Sequence, residues 1–103
     1  SPQDHLDLAA LYQKAAVEHR ARAAAARKSL AAELRSLSSF PNKSGVEFPW
    51  VTKVKREAQA EISQAETAAA EAERSADYHR MRARELEGLE FATLAAVSSG
   101  GRR

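Results

Sequence analysis

Small and apolar residues recur at helical spacing along two long stretches of the chain. In the second stretch, Val51, Val54, Ala58, Ile62, Ala65, Ala69, Ala72, Ala76, His79, Ala83 and Leu86 follow one another in steps of three and four. That spacing draws one continuous stripe on a long α-helix. The first stretch carries a similar series: His5, Leu8, Tyr12, Ala15, His19, Ala23, Ala26, Leu30, Leu34 and Leu37. Both stripes are mostly alanine in their middle, so whatever packs on them must come unusually close. Leucines and aromatic residues are expected to thicken the core toward the two ends.

Punctuation sets the boundaries. Ser1-Pro2-Gln3-Asp4 reads as a helix start, with Ser1 as cap, Pro2 in the first turn and Asp4 three residues on. Ser38-Ser39, Pro41-Asn42 and Ser44-Gly45 are turn chemistry, and Pro49 suits the first position of a second helix. The predicted elements are helix one over 2–38, a loop over 39–48 and helix two over 49–97. Gly88 is a candidate kink or stop. Residues 1–98 then make a single helical-hairpin domain, and 99–103 a disordered tail. The fold class is all-α, a long antiparallel two-helix hairpin resembling an alanine-rich coiled coil.

Charge gives an independent reason for the antiparallel arrangement. Lys14, Arg20, Arg22, Arg27 and Lys28 are basic around a single Glu18, and the segment opposite carries Glu61, Glu66, Glu71 and Glu73. The basic run from Arg74 to Arg84 falls likewise opposite Asp4 and Asp7. Exposed pairs are each worth at most about 1 kcal/mol, yet blocks of opposite sign select register and direction.

Helix two outlasts helix one in this scheme. The surplus carries Leu89, Phe91, Leu94 and Val97, apolar on more than one side and without a partner in the hairpin. It either folds back as a third helix after Gly88 or packs on a second copy; the second copy is favoured, giving a homodimeric four-helix bundle. Aromatic residues also gather around the connection, where Phe48 and Trp50 form either a hydrophobic plug or a partner-binding tip. With 103 residues and few large apolar side chains, two helices alone bury little surface, which also argues for association.

Composition narrows the chemistry. A formal charge of +2 is too small to argue for nucleic acid, and Arg80, Arg82 and Arg84 alternate around a helix instead of sharing a face. Cysteine is absent, which removes disulfides and thiolate chemistry. No apolar run approaches the ~20 residues of a membrane span. No nucleophile–histidine–acid set or phosphate-binding glycine loop can be assembled, and an alanine seam leaves no room for a substrate pocket, so no enzymatic role is expected. Histidines are the remaining candidates. His5 and His79 lie on the two stripes, within about one turn of each other in the hairpin register. With Asp4, Asp7 or Asp77 they compose a candidate site for zinc or copper(II); the competing reading is two packed core histidines. His19, alone among alanines and arginines, reads as structural.

The run His5-Leu6-Asp7-Leu8-Ala9-Ala10-Leu11-Tyr12 followed by Ala16 has the form His-x2-Leu-Ala-x2-Tyr-x3-Ala, and Ala76-Asp77-Tyr78-His79-Arg80 continues to Ala83 and Leu86. Together they resemble a loose group of small exported bacterial helical-hairpin proteins of the periplasm, without an assigned activity. Met81 departs from the pattern by standing two residues after the histidine instead of three. The resemblance implies a periplasmic or secreted location, for which the opening Ser1-Pro2 is suggestive of a processed chain; a cytoplasmic location is the alternative. The function expected is a non-enzymatic, self-associating interaction or scaffold module of the cell envelope. The alternative is a periplasmic metal-binding or metal-sensing module using His5 and His79.

Overall fold

The structure, a computed structural model, describes residues 1–37 and 48–100, with side chains to Val97. Two helices account for nearly all of it: α1, Pro2–Leu37, and α2, Pro49–Gly100. They pack against each other as a hairpin, and no strand occurs among the described residues. The expected helix-one end at 38 and the loop over 39–47 lie outside the described residues. Helix two is longer than expected. It passes through Gly88 without a break and ends at Gly100 instead of Val97, so residues after Gly88 do not fold back as a third helix. One glycine costs a helix only about 1 kcal/mol, and no proline follows it.

The α1 start is capped as its sequence indicates. The Asp4 amide donates to the Ser1 carbonyl at 3.1 Å and to Ser1 Oγ at 3.4 Å, while Ser1 Oγ donates to Asp4 Oδ2 at 3.0 Å. That hydroxyl, with the terminal ammonium behind it, holds the Asp4 carboxyl below its ordinary range.

The chain forms two compact units, one of Ser1–Ala15 with Glu71–Arg103 and the other of Ala16–Ala70. In the first unit the buried residues are Ala9, Ala72, Ala76 and Ala83. In the second they are Ala16, Ala23, Val51, Ile62, Ala65 and Ala69. All eleven α2 stripe residues from Val51 to Leu86 are buried or half-buried. Ile62, Ala69, Ala76 and Ala83 fall one heptad apart, as do Ala65, Ala72, His79 and Leu86, so α2 presents a coiled-coil seam.

Most of the α1 stripe holds, with His5, His19, Ala23, Ala26, Leu30, Leu34 and Leu37 buried or half-buried, but it is displaced by one residue at Leu8 and Ala15. Its best-buried residues are Ala9, Ala16 and Ala23, one per heptad, whereas Leu8 and Tyr12 are exposed and Ala15 only half-buried. Two adjacent rows of the helix are apolar here, and periodicity does not choose between them. The row of single methyl groups admits the closer approach. In consequence Leu30, Leu34 and Leu37 are half-buried in the second unit, as expected of an end cluster, but Leu6, Leu8 and Leu11 of the first stay exposed.

Charge pairing follows the same geometry. Arg27 of α1 makes an ion pair with Glu66 of α2, as the charge blocks require. The other block pairs differently: Arg80 binds Asp77 and Arg82 binds Glu85, each at 2.9 Å within α2, while Asp7 accepts from Gln3 at 2.8 Å within α1. Asp7 sits on the back of α1 with respect to the Ala9–Ala16 row, which places it out of reach of α2.

Two expectations follow. Ala16 and Ala76 are both 0% exposed, so Ala16→Leu or Ala76→Leu should cost about 1–3 kcal/mol, read as a lowered thermal midpoint by circular dichroism, while Leu at exposed Ala24 leaves it unchanged. A Cβ at Gly88 meets nothing within 4 Å, so Gly88→Ala should stabilise α2 by roughly 0.5–1 kcal/mol.

Candidate functional site: a histidine pair between tyrosines

The two histidines singled out by the stripes do meet. His5 on α1 and His79 on α2 lie in the same unit, both half-buried, with their Nδ1 atoms 2.8 Å apart. The ring centroids are 5.1 Å apart with the planes inclined by 29°. The small residues of that unit's core, Ala9, Ala76 and Ala83, let the two backbones approach until imidazole tips touch. A contact of this length is a hydrogen bond in which one ring carries Nδ1–H and the other presents a bare Nδ1. Two doubly protonated rings cannot make it.

His79 is the centre of a small aromatic group. Tyr12 lies nearly parallel to it, at 5.6 Å and 7°, and Tyr78 meets it edge-on at 5.1 Å and 72°. Offset parallel and edge-to-face contacts are the arrangements that aromatic rings favour, worth about 0.5–1.5 kcal/mol each beyond burial. Next to them Arg80 donates to Gln13 Oε1 at 3.1 Å and to Asp77 Oδ1 at 2.9 Å. This clamp joins α1 to α2 beside the histidines. Sequence reading missed it, although Gln13 and Arg80 each follow a seam residue, Tyr12 and His79, by one position.

The carboxylates offered as extra metal ligands are turned to other tasks. Asp4 holds Ser1, Asp7 accepts from Gln3, and Asp77 accepts from Arg80. Among the described residues no group of three or more His, Cys, Asp or Glu is placed to hold a metal ion. His19 is half-buried on α1 in the other unit.

The remaining sites are apolar surfaces. Every residue from Glu87 to Val97 is exposed, with Leu89 at 59%, Phe91 at 75%, Leu94 at 69% and Val97 at 68%. In the same unit Leu11, Tyr78 and Met81 are also exposed, off the stripes that the sequence pattern marks. In the other unit Phe48 and Trp50 are exposed and stacked on each other at 6.5 Å and 16°. Grooves do run along the helix contact in that unit, one lined by Arg22, Ala26, Leu30, Val54, Ala58 and Glu61. Among the described residues no helix is long and apolar enough to cross a membrane.

No family model, curated protein or solved structure matches the chain.

The tautomer pairing is open to direct check. Nitrogen-15 spectra of the imidazoles should find one of His5 and His79 protonated at Nδ1, the minority form for free histidine, and His5→Ala should return His79 to the ordinary mixture. Identical Nε2–H tautomers in both rings would contradict the bond.

Proposed function

We propose that the protein is a non-enzymatic helical interaction or scaffold module that self-associates through the C-terminal part of α2, giving a homodimeric four-helix arrangement. The observation that carries this reading is the exposed run from Glu87 to Val97. It is regular helix throughout, yet four large apolar side chains on it are more than half in water. At 52 residues α2 exceeds the 36 of α1, a difference of roughly 24 Å of helix at 1.5 Å per residue. An isolated stretch of this kind gains little from helix propensity alone. Burying each such side chain against a partner is worth about 1.5–3 kcal/mol, and exposed apolar patches of this extent mark interaction surfaces.

A second copy of the chain is the partner favoured. It brings the same apolar segment, so two copies cover each other by a self-complementary contact. The further exposed residues of the same unit, Leu8, Leu11, Tyr78 and Met81, widen the surface available to it. Phe48 and Trp50 are left as a smaller surface for a different protein partner; a stacked aromatic pair in water is a common anchor for such contacts. Placement in the bacterial cell envelope rests on the resemblance of the histidine–tyrosine motifs to exported hairpin proteins.

Light scattering on a sizing column tests the reading. Wild type should elute with the mass of two chains, and Leu94→Asp or Phe91→Asp should shift it toward one chain with helicity retained. A wild type of single-chain mass, or a Leu94→Asp variant that stays fully associated, would remove this segment from the account.

A further inference from the structure

The reading above leaves the histidine pair without a task. We infer that His5 and His79 form a two-imidazole site for a divalent cation of tetragonal preference, copper(II) ahead of zinc. The two Nδ1 atoms stand 2.8 Å apart. Nitrogens bound at about 2.0 Å and at right angles on one metal lie about 2.8–2.9 Å apart, whereas the tetrahedral angle that zinc prefers needs about 3.3 Å. The hairpin therefore holds two borderline nitrogen donors at a hydrogen-bond distance that also fits neighbouring corners of a square.

That spacing is set by the fold. One ring stands on α1 and the other on α2, and the alanine contact of Ala9, Ala76 and Ala83 holds the backbones together. Tyr12 against one face of His79 and Tyr78 against its edge restrict where that ring can turn. When a cation arrives the two backbones need no further ordering and only the rings reorient, which is the saving this site offers.

The proton balance is simple. In the metal-free pair one Nδ1 carries a hydrogen, which the other accepts. For both Nδ1 lone pairs to converge on a cation, each ring turns until its lone pair points about 45° off the line between the two nitrogens, and that hydrogen moves, through solvent, to Nε2 of its own ring. Both imidazoles then bind as neutral ligands and no proton is released overall. Asp4, Asp7 and Asp77 remain with Ser1, Gln3 and Arg80, so water fills the other corners. With two protein ligands the site is open and of moderate strength, and the general order of divalent affinities places copper(II) first.

The test is a titration of the full chain with copper(II), in the presence of glycine as competitor, followed by electron paramagnetic resonance. Wild type should give an axial spectrum with coupling to two imidazole nitrogens at one equivalent. His5→Gln and His79→Gln should each weaken binding by about a hundredfold, because a two-point ligand becomes a one-point ligand, with helicity checked by circular dichroism. His19→Gln should bind as wild type does, and zinc should bind at least about tenfold more weakly than copper(II). Binding that survives the double substitution of His5 and His79, or a wild type without two-nitrogen coupling, would overturn the site. Zinc binding as tight as copper(II) would overturn the tetragonal assignment.

Discussion

The close approach of two helices over alanine is the constraint on which the other features depend. A methyl group contributes little hydrophobic energy, but it is the smallest side chain that still excludes water from between two backbones. Where Ala16, Ala65 and Ala76 are fully buried, there is no volume for a larger residue. The same closeness lets residues that flank the contact reach across it. Arg27 meets Glu66, Arg80 meets Gln13, and His5 meets His79. Each of these pairs needs its two helices near each other and in register.

A seam of this kind is specific and weak at once. Ala9 with Ala76 and Ala83 in one unit, and Ala16 and Ala23 with Ile62 and Ala69 in the other, fix which face of each helix turns inward. They leave most large apolar side chains outside. Leu11, Tyr78, Met81, Leu89, Phe91, Leu94 and Val97 all belong to one compact unit and are all exposed. A unit with alanines inside and most of its large apolar side chains outside is suited to further association, because those side chains have the most to gain from burial. The functional proposal follows from that division.

Much of the fold was legible in sequence, and the reasons are local. Pro2 and Pro49 mark helix starts to the residue, and the α2 stripe reads correctly over eleven positions because only one apolar row exists there. On α1 the reading slipped toward Leu8 and Ala15, since Leu8, Ala9, Ala15 and Ala16 offer two apolar rows and hydrophobicity favours the wrong one. What decides is closeness of approach, a property of the pair of helices that no single helix displays. The meeting of His5 and His79 was legible from register alone. The Gln13–Arg80 clamp and the diversion of Asp7 and Asp77 to neighbours were not, because short side chains on a helix satisfy themselves locally whenever a partner stands three or four residues away. Gly88 does not stop α2, because its cost is small beside the helix formers around it.

The central claim is that the end of α2 is covered in solution by a second copy. Amide hydrogen exchange, followed residue by residue from Leu89 to Val97 over a dilution series, tests it most directly. The account predicts strong protection at high protein concentration that falls away as the chain is diluted, while the amides of Ala72 to Ala83 keep theirs longer. Exchange from Leu89 to Val97 at the rate of unstructured chain at every concentration, or protection indifferent to dilution down to the lowest concentration reached, would contradict it.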